Sequence, residues 1–130
     1  MSDILSRADI VLLVDSFYVK VRADEMLGRI FDKVAKVDWN SHLPKMYDFW
    51  ETTLLNRPGY KGNPVKVHQR INDLTPLDHP AFQRWLQLFD KTVDELFSGP
   101  QAEDIKVRAL SIATILEAKL STGGEIPIVP

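Results

Sequence analysis

Apolar residues recur along this chain at intervals of three and four, the spacing that gathers side chains on one face of an α-helix. Ile10, Leu13, Val14, Phe17 and Val21 predict a first helix over residues 7–21, with Ser6 or Asp9 to cap its start. Tyr18 falls at the edge of that stripe, where a ring is half buried and its hydroxyl can be aimed into a cavity. After the polar corner Arg22-Ala23-Asp24, the positions Leu27, Ile30, Phe31 and Val34 predict a shorter helix, with Gly28 marking close packing or a turn. Asp38 is placed to cap a long helix from Trp39 to about Leu55. Pro44 lies inside it, removes one donor, and should loosen the turn that carries His42.

Breakers then dominate Asn56-Arg57-Pro58-Gly59-Tyr60-Lys61-Gly62-Asn63, which reads as a loop. Pro64 suits the first turn of a short helix with Val65, His68 and Ile71, ending near Leu74-Thr75-Pro76. Asp78-His79-Pro80 reads as a second loop with His79 an exposed cap. Phe82, Trp85, Leu86, Phe89, Val93, Leu96 and Phe97 predict a long helix from about Pro80 to Phe97, stopped by Ser98-Gly99-Pro100. The last helix, about 101–121, would bury Ile105, Ala109, Ile112, Ala113, Leu116 and Leu120. So short a break makes the last two helices an antiparallel pair. No alternating run is long enough for a strand. The class is all-α, one domain over residues 1–130, with a core over about 8–120 and a loose Gly- and Pro-rich tail at 121–130.

Composition narrows the chemistry. A chain of 130 residues, 45% hydrophobic and 26% charged, has the make-up of an ordinary globular domain. The net charge of −2 and the dispersed Lys and Arg argue against nucleic acid as a partner. With no cysteine, disulfides, iron–sulfur clusters, thiol catalysis and covalent haem attachment are excluded. The start, MSDILSRAD, lacks the pattern of a signal peptide, and the apolar run Ile10–Val14 is closed by Asp15. No stretch is long enough to span a bilayer, so no membrane role and a cytoplasmic location are expected. Neither a nucleophile elbow nor a phosphate or dinucleotide loop occurs; Gly59-Tyr60-Lys61-Gly62 matches none of them.

The stretch from Asp38 to His68 carries the remaining candidate chemistry. Counted as a helix from His42, the residues Met46, Phe49, Trp50 and Thr53 share its face, so an imidazole heads an aromatic, apolar surface. A second imidazole, His68, follows beyond a turn able to fold it back opposite. Two histidines across an apolar slot suit a flat, metal-centred ligand, haem foremost. A packing role remains the alternative for each: Val65, Val67 and Ile71 flank His68 as either role requires. Zinc is disfavoured, because the histidines are too far apart for an H-x-x-x-H pair and no cysteine helps. Tyr18 and Trp85 each carry a donor that needs a partner once buried. Dioxygen held at a haem in such a slot gains partial negative charge, and those two donors would then stand where that charge develops.

These residues resemble the truncated haemoglobins, specifically group III. The matching segments are Phe17-Tyr18, Lys20-Val21-Arg22-Ala23-Asp24 and Leu27-Gly28-Arg29-Ile30-Phe31, then His42 with Phe49-Trp50. Tyr60-Lys61-Gly62-Asn63-Pro64 leading to His68, and Trp85-Leu86-Gln87-Leu88-Phe89, complete the series. The glycine pairs of the other truncated groups are missing, since Gly123-Gly124 lies in the tail; Arg29 stands where relatives often have proline. The resemblance implies a two-over-two helical sandwich around haem b. It implies His68 as the proximal iron ligand (the metal site), Tyr18 and Trp85 as residues that stabilise the gas, and His42 as a distal histidine at the pocket mouth. Phe31, Met46 and Trp50 would wall the haem. The function expected is reversible binding of dioxygen, nitric oxide and carbon monoxide by a haem protein with one open iron position, a binder in preference to an enzyme. The alternative is a haem redox enzyme for nitric oxide dioxygenation or peroxide chemistry, served by a separate reductase.

Overall fold

The computed structural model describes residues 1–34, 36–55 and 79–122, and every regular element among them is helical. The expected loop at 56–63, the Pro64 helix with His68, and the tail from Gly123 onward lie outside the described residues, as do the side chains of Val34 and Leu120.

Helix α1 (Arg7–Ala23) buries Ile10, Leu13, Val14, Phe17 and Val21, the stripe read from the sequence. Ser6 caps it, and both expected capping residues act together: Asp9 Oδ2 accepts from the Ser6 backbone N–H at 3.1 Å, while Ser6 Oγ accepts from Asp9 N–H. Tyr18 is only 7% exposed, deeper than the half-buried edge position expected. The helix also runs through Arg22 and Ala23, so the polar corner shrinks to Asp24 alone. Asp24 closes α1 through its backbone N–H to Lys20 O and opens α2 (Glu25–Gly28) by accepting Leu27 N–H on Oδ2 at 3.0 Å. Burial raises the Asp24 pKa, but the Leu27 N–H and the Arg84 guanidinium, 2.7 Å away on a later helix, outweigh it and leave it lowered.

Gly28 is where the corner passes α1. A Cβ there would lie 2.4 Å from the Arg22 carbonyl oxygen, so only glycine lets the two backbones meet. The chain then winds as a π-helix over Arg29–Val34 in place of the continuous α-helix expected. Leu27, Ile30 and Phe31 are nonetheless all buried, and Asp32 reaches Trp39. Lys36, at φ 52°, turns the chain toward α3 (Trp39–Leu55). Asp38 stands at the N-cap, its carbonyl accepting from Ser41 and His42 N–H at 3.1 and 2.8 Å. Pro44 sits within α3 on its exposed side without ending it.

Helices α4 (His79–Leu96) and α5 (Pro100–Thr122) form the expected antiparallel pair. His79, exposed as expected, opens α4 and does not sit in a loop; its Nδ1 is 2.9 Å from Glu117 Oε2 near the end of α5. At the other end Lys106 bridges Asp94 at 2.7 Å. Leu88 and Thr92 join Phe82, Phe89 and Val93 in the core, while Trp85, Leu86 and Leu96 are half buried. Helix α1 packs on α3 and on α4. Phe89 is stacked between Trp50 and Trp85, at 5.2 and 5.5 Å, with Phe17 edge-on at 5.1 Å. This aromatic stack joins α1, α3 and α4 at the centre of the molecule.

The N-terminal residues are strapped across the α4–α5 turn. Ile4 is fully buried, and Asp3 accepts from Gln101 N–H at 3.0 Å and Ala102 N–H at 2.8 Å, satisfying the start of α5. Ser98 N–H donates to Ser2 O, and Gly99, at φ 141°, leaves room for the Asp3 side chain. Burial raises the Asp3 pKa, but N–H donors from Gln101, Ile4 and Ala102 overcome it and hold the carboxyl below the ordinary aspartate range. Because the folded pKa is depressed, this contribution is present at neutral pH and is lost as pH falls through the folded value. Asp3→Ala should therefore lower stability by about 1 kcal/mol at neutral pH, in the range of lost helix caps. The difference from the parent should vanish in acid, below the folded pKa; urea titrations at both pH values measure it.

Candidate functional site

An apolar slot opens among α1, α3, α4 and α5. Tyr18 enters from α1, and Leu27 and Phe31 from α2 and the π-helical segment. Helix α3 gives Met46, Phe49 and Trp50, and α4 gives Ala81, Phe82 and Trp85; Ile112, Ala113 and Leu116 come from α5. No charged side chain lines the slot among the described residues. The nearest polar feature is a pair at its edge. Tyr18 OH and His42 Nε2 are 3.2 Å apart, their rings edge-on at 5.3 Å.

The helical count explains the placement. His42 and Met46 lie one turn apart on α3, with Phe49 and Trp50 one turn further, so one face supplies the imidazole and the wall below it. Tyr18 follows Phe17 on α1, and Phe17 packs edge-on against Trp85 at 5.4 Å. Phe17 thus touches both the Tyr18 and the Trp85 rings. Burial pushes the Tyr18 pKa well above its ordinary value. The phenol therefore stays protonated at any physiological pH and remains a donor.

Two proton arrangements satisfy the Tyr18–His42 bond. Either the phenol donates to a bare Nε2, or Nε2–H donates to the phenol oxygen. In the second arrangement the Tyr18 O–H is free to donate into the slot while its oxygen accepts from His42. The imidazole then raises the donor strength of the phenol, because a hydroxyl that accepts a hydrogen bond donates a stronger one.

Of the residues singled out from the sequence, Tyr18, Phe31, Met46, Trp50 and Trp85 line the slot together. His42 stands at its edge, half buried. His68 lies outside the described residues. The sequence reading passed over Trp39, whose ring touches both Tyr18 and His42. Its position three residues before His42 was the available signal. Phe82, Ile112, Ala113 and Leu116 were read as core; a helical stripe looks the same whether it meets another helix or a cavity.

Comparison with known proteins agrees with this architecture. The family profile described as bacterial-like globin matches residues 3–116. A group 3 truncated hemoglobin of Campylobacter jejuni is 33% identical over 113 residues, covering 85% of this chain and 87% of that protein. The crystal structure of a group III truncated hemoglobin from Campylobacter jejuni superposes with a TM-score of 0.81 at 32% identity, covering 96% of this chain and 99% of that one.

Proposed function

This chain belongs to the bacterial-like globin family as a group III truncated haemoglobin, a haem-binding globin, and on that premise we propose that it holds one haem b and reversibly binds diatomic gases there. The observation that carries the reading is the slot itself, apolar on every described wall and edged by one protonated phenol paired with an imidazole. Those residues fit a flat apolar ring with a small polar guest beside it. Phe31, Met46 and Trp50 would pack against the ring, and His68 would hold the iron. When bound, the haem supplies an iron with one open position for dioxygen, nitric oxide or carbon monoxide.

The protein's own part is then polar and steric. Tyr18 donates its O–H toward negative charge on the guest, and His42 Nε2–H supports the phenol oxygen from behind. Trp85 presents an indole to the slot from α4. The apolar walls exclude water, which strengthens each of these bonds. No helix among the described residues is long and apolar enough to cross a membrane.

His42 serves in this reading as a gate and not as a second iron ligand. Its bond to Tyr18 occupies Nε2, the atom that a ligand to iron would need. Pro44 lacks the N–H that would reach back to the first turn of α3, so that turn is held more by its side-chain contacts. The test is the visible spectrum of the purified ferrous protein without added gas, expected to be five-coordinate and high-spin. His42→Leu should leave that spectrum nearly unchanged while altering the rate at which carbon monoxide reaches the site. A colourless protein that takes up no added haem would remove the reading altogether. A six-coordinate spectrum that reverts on His42→Leu would make the imidazole an internal ligand.

A further inference from the structure

Trp39 has no part in the function described so far, yet three elements converge to hold it. Its Nε1–H donates to Asp32 Oδ1 at 2.7 Å. Asp32 Oδ2 accepts from Arg22 Nε at 3.3 Å, and the Arg22 guanidinium carbon lies 4.9 Å from the centre of the Trp39 ring. Arg22 belongs to the last turn of α1, Asp32 to the π-helical segment and Trp39 to the first turn of α3. A charge-assisted hydrogen bond, an ion pair and a cation–π contact thus close a triangle around one indole. Away from the triangle, the same ring lies 5.2 Å from Tyr18 and 5.5 Å from His42. Each of the three rings therefore touches the other two.

We propose that Trp39, locked by Asp32 and Arg22, is a positioning residue that fixes the Tyr18–His42 pair and so sets how long a polar gas is retained. The inference rests on the reading of the slot as a haem site. A phenol can shift sideways only as far as its flanking rings allow, and Tyr18 lies between Phe17, at 4.9 Å, and Trp39. His42 sits in the turn that Pro44 leaves short of a backbone bond, and the Trp39 ring and the Tyr18 hydroxyl both bear on its orientation. The Asp32 carboxylate supplies a fixed acceptor for the Trp39 indole, whose ring also lies 6.2 Å from that of Phe31. Arg22 is half exposed, so its ion pair adds little stability; its consequence is the direction in which Asp32 and the indole face.

Two substitutions test the clamp. Asp32→Ala removes the acceptor; Trp39→Phe keeps an aromatic ring but loses the N–H. With dioxygen and carbon monoxide as probes on haem-loaded protein, each should speed dioxygen loss roughly three- to tenfold, a part of what losing the donor itself would do. Carbon monoxide loss should hardly change. In a Tyr18→Phe, His42→Leu background neither substitution should add anything, because both groups they position are gone. In the haem-free protein, NMR should show a slowly exchanging Trp39 indole proton and ring contacts from Trp39 to Tyr18 and His42, all lost in Asp32→Ala. Equal acceleration of both gases, or additive acceleration in the Tyr18→Phe, His42→Leu background, would mean general loosening and overturn the proposal. If Tyr18→Phe speeds dioxygen loss and the two clamp variants do not, the clamp falls while the haem-site reading stands. Failure of the parent protein to take up haem removes both.

Discussion

His68→Ala protein is expected to leave purification almost free of haem. The chain has three histidines. His79 stands at the surface against Glu117, and His42 is bonded through Nε2 to Tyr18, which supports His68 as the imidazole for the iron. With no cysteine there is no covalent tether to retain the group once that ligand is gone. Apolar packing against Phe31, Met46 and Trp50 would remain, so added haem should still enter weakly. Exogenous imidazole, which refills the vacancy left by the side chain, should restore tight retention. The measurement is haem per chain after gel filtration, with and without imidazole. Undiminished stoichiometry and an unaltered ferrous spectrum in the variant would show that another residue holds the iron.

The second large effect is expected at Tyr18. A hydrogen bond to a charged acceptor contributes roughly 1.5–3 kcal/mol, equivalent to about a 10- to 150-fold change in a dissociation rate. Tyr18→Phe keeps the ring against Phe17 and Trp39 and deletes only the O–H. Dioxygen, which draws negative charge, should then escape faster within that range, while carbon monoxide should be little affected. The Tyr18–His42 contact sharpens the expectation. Once the phenol oxygen is gone, His42 Nε2 loses that partner and can turn toward the slot, offsetting part of the loss. The single variant should thus fall in the lower half of the range, and Tyr18→Phe with His42→Leu should lose dioxygen faster still. Stopped-flow dissociation with both gases decides it; identical effects on dioxygen and carbon monoxide would make the tyrosine a steric wall and not a donor.

What could be read from the sequence was what local chemistry encodes. Ser6 and Asp9 announce the start of α1, and Asp38 the start of α3, because capping is a matter of neighbours three residues apart. The stripes of α4 and α5 gave their pairing, because a three-residue break leaves no other packing. The π-helical winding at Arg29–Val34 was not legible: Leu27, Ile30 and Phe31 are inward on either winding, so their spacing does not separate the two. The site followed the same division. Tyr18, His42, Met46 and Trp50 could be singled out because each lies on a readable face. The Asp32–Trp39–Arg22 triangle was missed because it joins three faces, and its partners meet only after the corner at Asp24 has folded. The depth of Tyr18 also escaped, since a stripe's edge on one helix says nothing of what covers it from α3.

The strap at the amino terminus bears on the order in which the molecule is assembled. Asp3 and the backbone it caps are 98 and 99 positions apart along the chain. Asp3 is synthesised 98 positions ahead of Gln101, and the carboxylate then waits, hydrated, while the helices between them emerge. The α4–α5 hairpin can form from its own neighbours, but its turn gains its cap only when the segment around Asp3 reaches it. Loop closure over that span carries an entropy cost that local contacts do not, so this corner should set late. By the same reasoning it opens early: transient release of residues 1–4 would uncover Gln101 and Ala102 without disturbing the slot. Hydrogen exchange at those two amides would then report the first breath of unfolding, well before anything around Tyr18 is lost.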